Sequence, residues 1–97
     1  MGVKRLNDTL TYLNSDYSIK TIDGEPCIYR KISNKYDLEV SGLNSSSKTF
    51  LVDIYVWDIS KGIGITASIV ENISGIKSKE ELKSILDSLF VKYHSNP

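Results

Sequence analysis

Residues 48–58, with the sequence KTFLVDIYVWD, predict the longest strand of the fold. Successive side chains of a strand point to opposite faces, so this segment presents two different surfaces. One face is uniformly apolar and carries Phe50, Val52, Ile54 and Val56. The other face mixes apolar, aromatic and acidic groups and carries Leu51, Asp53, Tyr55 and Trp57. The pattern predicts a sheet with one face against the core; we call the opposite face the outer face.

Four more segments are rich in β-branched and aromatic residues and predict further strands, at 17–22, 27–32, 36–40 and 63–70. The first two flank Asp23-Gly24, a strong turn signal, and predict a hairpin. Its register stays open, because isoleucine and tyrosine residues fall on both of its faces. In segment 36–40 apolar residues alternate with Asp37 and Glu39, which predicts one buried and one solvated face.

Helices are predicted at both ends of the chain. Leucines recur at helical spacing within residues 3–14, which gives one apolar stripe. Residues 78–81, SKEE, form a capping-box pattern ahead of a second helix over 79–93. Short connections favour antiparallel pairing. The sequence therefore predicts a single α+β domain over residues 1–97, with a five-stranded, mainly antiparallel sheet and both helices on one sheet face.

Composition excludes several functional classes. The 97 residues include 12 Lys and Arg and 12 Asp and Glu, so the formal net charge is zero and no basic stripe for nucleic acid is visible. The longest apolar runs are far shorter than a membrane span of about 20 residues. No secretory signal is visible at the N-terminus, and the single cysteine cannot form an internal disulfide. We therefore expect a cytoplasmic protein with no membrane association.

Candidate catalytic groups are sparse, and we predict a protein that is not an enzyme, with no cofactor and no metal. Cys27 fits a reduced structural thiol, the alternatives being a nucleophile or an intermolecular bridge. His94 lies three residues from the end, where helices fray. Asp37 and Glu39 share a strand face and could bind a cation or act as an acid/base pair. The simpler interpretation is a charged, solvated strand face.

The aromatic residues of the predicted outer face carry the functional hypothesis. Tyr and Trp are frequent binding hot spots, since they combine a large apolar area with a hydrogen-bonding tip. The predicted partner-binding residues are Leu51, Asp53, Tyr55 and Trp57, with Tyr29 and Arg30 as neighbours. Asp53 is either an exposed residue opposite a lysine or an anchor that faces the partner. The alternatives for this face are coverage by segment 42–47 or 71–77, a homodimer, or a heterologous protein partner.

The predicted function is a non-enzymatic protein-binding module. The outline of one helix, a small sheet and a closing helix resembles small bacterial and phage accessory proteins, among them anti-CRISPR inhibitors, toxin-immunity proteins and secretion chaperones. That resemblance implies an inhibitor that binds its partner directly. The alternatives are a single-stranded nucleic-acid binder that stacks bases on the same aromatic residues, and a homodimeric structural or chaperone-like protein. The zero net charge makes nucleic acid the weaker candidate.

Overall fold

A computed structural model describes residues 2–13, 16–22, 24–43, 49–61 and 67–95. The elements follow the predicted order of helix, five strands and helix, and their bounds are α1 Gly2–Leu13, β1 Ser18–Ile22, β2 Glu25–Lys31, β3 Tyr36–Ser41, β4 Val52–Asp58, β5 Ser68–Ile76 and α2 Lys79–His94. The predicted α+β class is confirmed. The predicted turn residue Asp23 and the start of the fifth predicted strand at 63–66 lie outside the described residues.

The five strands form one antiparallel meander in the order β1-β2-β3-β4-β5, so β3 is the central strand. Each strand pairs with the next along the chain, as short connections require. The register resolves the first hairpin, in which Ile19 lies opposite Ile28 and Ser18 opposite Tyr29. Ile28 is fully buried in the core, so Tyr29 points to the outer face.

Both helices pack on the inner face of the sheet, as predicted. The inner face presents Leu38 and Val40 from β3 and Ile54 and Val56 from β4, all essentially inaccessible. The same core cluster contains buried residues of the two helices, namely Leu6, Leu13, Leu82, Leu86, Leu89 and Tyr93. The apolar stripes predicted from the sequence are therefore the helix surfaces that pack against the sheet.

Helix α2 begins at the predicted cap. The hydroxyl of Ser78 accepts a hydrogen bond from the backbone N–H of Glu81 at 3.1 Å. The side chain of Glu81 reaches back to the backbone N–H of Lys77 at 3.2 Å. One of the N–H donors that a helix start leaves unpaired is thus satisfied by Ser78, and the bond to Lys77 holds the residue before the cap.

Strand β5 differs from its prediction: it spans Ser68–Ile76 rather than 63–70. Segment 71–77 therefore extends the sheet edge and does not cover the outer face. The polar residues of this segment weaken the alternation of apolar and polar side chains that marks a strand. Two irregularities in the register with β4 interrupt the alternation further. One of them places two residues of β5 opposite Asp53, where Gly75 adopts a φ of +77° that glycine accommodates at little cost.

The second irregularity turns Glu71 toward the helices. Glu71 lies opposite Val56, while Ile69 lies opposite Trp57, so residue 70 is the extra one. The carboxylate of Glu71 accepts hydrogen bonds from the hydroxyl of Tyr93 at 2.6 Å and from the ammonium of Lys92 at 3.0 Å. These bonds join the edge strand to the last turn of α2, and they hold the pKa of Glu71 below its usual range.

Truncation of a core residue of α2 tests the packing of this helix. Leu86 is 0% exposed, and Leu86→Ala should lower the free energy of unfolding by about 2–5 kcal/mol, because it removes buried apolar contacts and leaves a cavity. Urea unfolding followed by Trp57 emission measures the change. Val91 on the same helix is 65% exposed, and Val91→Ala should stay within about 0.5 kcal/mol of wild type. Equal losses in the two variants would contradict the described packing.

The Glu71–Tyr93 bond predicts a pH-dependent contribution to stability. Because the folded-state pKa of Glu71 is lowered, its contribution is complete above about pH 4.3 and is lost as the pH falls through the folded-state pKa. Tyr93→Phe should cost about 1 kcal/mol at neutral pH, and this cost should shrink in acid. Urea unfolding at several pH values, with Tyr12→Phe as the matched control, measures the effect. A cost independent of pH would exclude the proposed bond to an ionised Glu71.

Candidate functional site

The outer face of the sheet carries two buried carboxylates on its central strand. Asp37 is 3% exposed and Glu39 is 6% exposed. The interpretation of Asp37 and Glu39 as a solvated strand face is therefore wrong. Their neighbours explain the burial: Tyr29 and Lys31 lie opposite them on β2, and Tyr55 and Trp57 lie opposite them on β4. Aromatic side chains on both flanking strands thus enclose the carboxylates.

Two diagonal hydrogen bonds hold this cluster together. Tyr29 lies opposite Glu39, but its hydroxyl donates to Oδ2 of Asp37 at 2.6 Å. Trp57 lies opposite Asp37, but its indole N–H donates to Oε1 of Glu39 at 2.8 Å. The two rings therefore extend from opposite sides over the central strand. We call Tyr29, Asp37, Glu39 and Trp57 the carboxylate cluster.

The electrostatics of the cluster keep the tyrosine protonated. Burial, together with the hydrogen bond to Asp37 and the negative charge of that residue, raises the pKa of Tyr29 well above its usual value. The phenol therefore remains a hydrogen-bond donor throughout the neutral range. The second oxygen of Asp37, Oδ1, is buried and has no hydrogen-bond partner among the described residues. An unpaired buried acceptor is unusual, because it costs about 1–3 kcal/mol.

Cys27 and Lys20 extend the cluster toward β1. The thiol of Cys27 is buried, lies 3.7 Å from Oε2 of Glu39 and contacts the backbone carbonyl of Glu25 at 3.5 Å. A carboxylate beside a thiol disfavours the thiolate, so these surroundings suit a structural cysteine better than a nucleophile. The ammonium of Lys20 lies 4.4 Å from the centre of the Tyr29 ring, a cation–π contact at the rim of the face.

The structure brings five of the six predicted binding residues to the outer face or its margin. Tyr29, Tyr55 and Trp57 are half-buried there. Leu51, 50% exposed, precedes β4, and Asp53 lies near the end of the face. Asp53 faces no lysine: it lies opposite Ser41 and accepts a 3.4 Å hydrogen bond from the backbone N–H of Gly75.

Arg30 is the sixth predicted residue, and the structure does not bring it to this surface. Alternation along β2 turns it to the inner face, where its guanidinium lies 3.7 Å from the centre of the Phe90 ring. A second aromatic contact joins it to Tyr17, and Asp16 lies 4.0 Å from the guanidinium. In this setting Arg30 clamps α2 to the sheet, since its cationic plane covers an aromatic ring of that helix.

Two outer-face residues differ in how their polar groups are used. The indole N–H of Trp57 is bound to Glu39, whereas the hydroxyl of Tyr55 makes no hydrogen bond to a described residue. Tyr55 lies opposite Glu39 on one side and Asn72 on the other. Tyr55 therefore combines a half-buried ring with a polar tip that is available to a partner.

Sequence reasoning recognised the aromatic residues but not the carboxylates as part of the site. The alternation of segment 36–40 placed Asp37 and Glu39 correctly on the outer face, and their type alone suggested solvent. The missing signal was pairing: a central strand places its side chains between those of two neighbours. The predicted strands on either side carry aromatic residues, with Tyr29 in 27–32 and Tyr55 and Trp57 in 48–58.

The pKa of Tyr29 tests the geometry of the cluster. We expect its phenol to stay protonated above about pH 10, where free tyrosine ionises. Asp37→Asn should lower this pKa, because it removes a negative charge, but burial should keep it above the free value. Titration of ¹³C-labelled tyrosine by NMR, with Tyr29→Phe for assignment and Asp53→Asn as the control, measures both values. An unchanged Tyr29 pKa in Asp37→Asn would contradict an ionised Asp37 as its acceptor.

Within the described ranges, no group of three or more His, Cys, Asp or Glu side chains could hold a metal ion. Neither of the two described helices has the length and hydropathy of a membrane span. The chain matches no protein-family model, no curated protein and no solved structure. The chemistry of the outer face is therefore the basis for a functional assignment.

Proposed function

We propose that this protein is a non-enzymatic protein-binding module that engages its partner through the outer face of the sheet. The observation that carries the proposal is the carboxylate cluster flanked by Tyr55. The partly exposed Tyr and Trp rings of this surface belong to the residue types that are enriched at interface centres and among binding hot spots. Exposed apolar side chains border it, with Leu51 at one end of β4 and Ile69 opposite Trp57.

Charge favours a protein partner over nucleic acid. The strand register places more acidic than basic side chains on the outer face. The carboxylates are Glu25, Asp37, Glu39 and Asp53, and the lysines are Lys20 and Lys31. Phosphate groups would approach two buried negative charges at the very place where bases would stack. Nucleic-acid surfaces present the opposite charge. The aromatic residues therefore suit apolar contact with a protein better than base stacking.

The size of the domain suggests how binding would act. A standard interface takes about 800 Å² from each partner, and the described residues of this chain expose 5772 Å² in total. A partner held on the outer face would use a substantial fraction of the surface. We propose that the module acts by covering a functional surface of its partner, as a small inhibitor does.

Loss of partner capture on mutation tests the proposal. Tyr55→Ala removes a ring that no internal hydrogen bond requires, so the fold should persist. Wild type should recover one protein from a bacterial lysate, and Tyr55→Ala should lose it. Tyr12→Ala, which removes a 37% exposed ring from α1, should retain it. The purified partner should then bind wild type with an affinity at least about tenfold higher than Tyr55→Ala, as expected for a hot spot.

The salt dependence separates the two candidate functions. A protein interface of this kind should change little in affinity between about 50 and 200 mM salt, whereas a nucleic-acid complex weakens steeply. If Tyr55→Ala keeps the partner, the outer face is not the interface. A third outcome is that wild type captures no other protein and forms a dimer in sedimentation, and that Tyr55→Ala is monomeric. The outer face would then join two copies of this chain, and the proposal of a heterologous partner would be wrong.

A further inference from the structure

We infer that the carboxylate cluster receives an arginine side chain of the protein partner, with Asp37 as the principal acceptor and the rings of Tyr29 and Trp57 as its walls. This inference rests on the proposed function and specifies the partner's chemistry. It predicts that a guanidinium group on a short, otherwise uncharged peptide binds at the cluster without the rest of the partner.

The first support is the unpaired oxygen of Asp37. One carboxylate oxygen already accepts from Tyr29 at 2.6 Å, and the other, Oδ1, lacks a partner among the described residues. The neighbouring Lys31 lies opposite Asp37 but makes no ion pair with it. A buried acceptor with a negative charge and an unused lone pair calls for an external donor, preferably a cationic one.

The second support is independent of hydrogen bonding: the aromatic wall already attracts a cation. The ammonium of Lys20 lies over the ring of Tyr29 at 4.4 Å, and no carboxylate of the described residues lies within ion-pair distance of it. On the inner face of the same sheet, the guanidinium of Arg30 lies 3.7 Å from the centre of the Phe90 ring. Guanidinium stacking on an aromatic ring is thus a contact that this fold already uses.

Arginine fits the cluster better than lysine or a metal ion. Its planar group can lie against a ring and still direct several N–H donors at neighbouring carboxylates, whereas an ammonium is a strongly hydrated point charge. Asp37 and Glu39 lie two residues apart on one strand face, so the N–H groups of a single guanidinium can donate to both carboxylates. A divalent ion would require more oxygen ligands than the two carboxylates offer. Among the described residues, no group of three or more His, Cys, Asp or Glu side chains could hold a metal ion.

Access to Oδ1 requires a movement of one ring. The oxygen is buried, and the two rings that extend over β3 are each only half-buried. Rotation of the Tyr29 side chain would uncover this carboxylate, so that a guanidinium group donates to Oδ1 as well as to Oδ2. The resident Trp57 would remain bound to Glu39 and form the opposite wall.

Trp57 is the only tryptophan of the chain, so its emission reports directly on the cluster. The probe is the capped tripeptide Gly-Arg-Gly, compared with Gly-citrulline-Gly, which has nearly the same shape but no charge, and with Gly-Lys-Gly. We expect a saturable change in Trp57 emission with Gly-Arg-Gly, and an affinity at least about tenfold weaker for the other two peptides. Wild-type protein suffices for this comparison.

Variants locate the response. Asp37→Asn keeps the shape of the side chain and should weaken Gly-Arg-Gly binding about tenfold or more, and Glu39→Gln provides a second test of the same charge pair. Asp87→Asn on the exposed surface of α2, where Asp87 pairs with Lys83, should bind as wild type does. Far-ultraviolet circular dichroism confirms that each variant is folded.

Each outcome decides the inference. Equal responses to the arginine and citrulline peptides, or no saturable response, overturn it, and a stronger response to the lysine peptide assigns the cluster to an ammonium instead. Full binding by both Asp37→Asn and Glu39→Gln would show that the peptide binds elsewhere. Partner capture that depends on Tyr55 together with a negative peptide result would leave the proposed function intact and refute only the arginine site.

Discussion

The burial of two carboxylates on the central strand is the constraint on which the rest of the sheet depends. Asp37 and Glu39 lie on β3, which is covered on one side by the helices and on the other by the rings of Tyr29 and Trp57. Removing a carboxylate from water is costly unless hydrogen bonds compensate. Here the compensation comes from both neighbouring strands, so β2, β3 and β4 must keep one register for the charges to be tolerated.

This arrangement makes a shift in register very unfavourable. A slip of β3 by one residue would turn Asp37 and Glu39 toward the inner face and bring Leu38 and Val40 outward. Both moves carry a penalty, since unpaired charges would enter the apolar core and apolar groups would leave it. A flat sheet with two apolar faces lacks this safeguard.

Element order, helix bounds and sheet class could be predicted from the sequence because they depend on local patterns. The leucine stripes and the Ser78 cap define the helices, and the alternation in segments 36–40 and 48–58 defines the two central strands. Strand β5 was misplaced because its second half, 71–76, contains Asn, Ser and Gly and is interrupted by bulges. Its pairing with β4 is a tertiary preference that no local propensity records.

The candidate site was only half predictable for the same reason. Tyr55 and Trp57 stand out by type, and alternation places them on one face. The burial of Asp37 and Glu39, and the position of Arg30 against Phe90, depend on cross-strand neighbours and on which face the helices occupy. Strand register therefore decides which side chains make up the candidate site. The indole N–H of Trp57 donates to Glu39, so this ring is already held in place. The hydroxyl of Tyr55 makes no hydrogen bond to a described residue, so it retains a polar group for contact. A surface with part of its side chains already ordered loses less entropy on association. Under the proposed function, the hydrogen bonds that stabilise the buried charges would therefore also order the outer face for a partner.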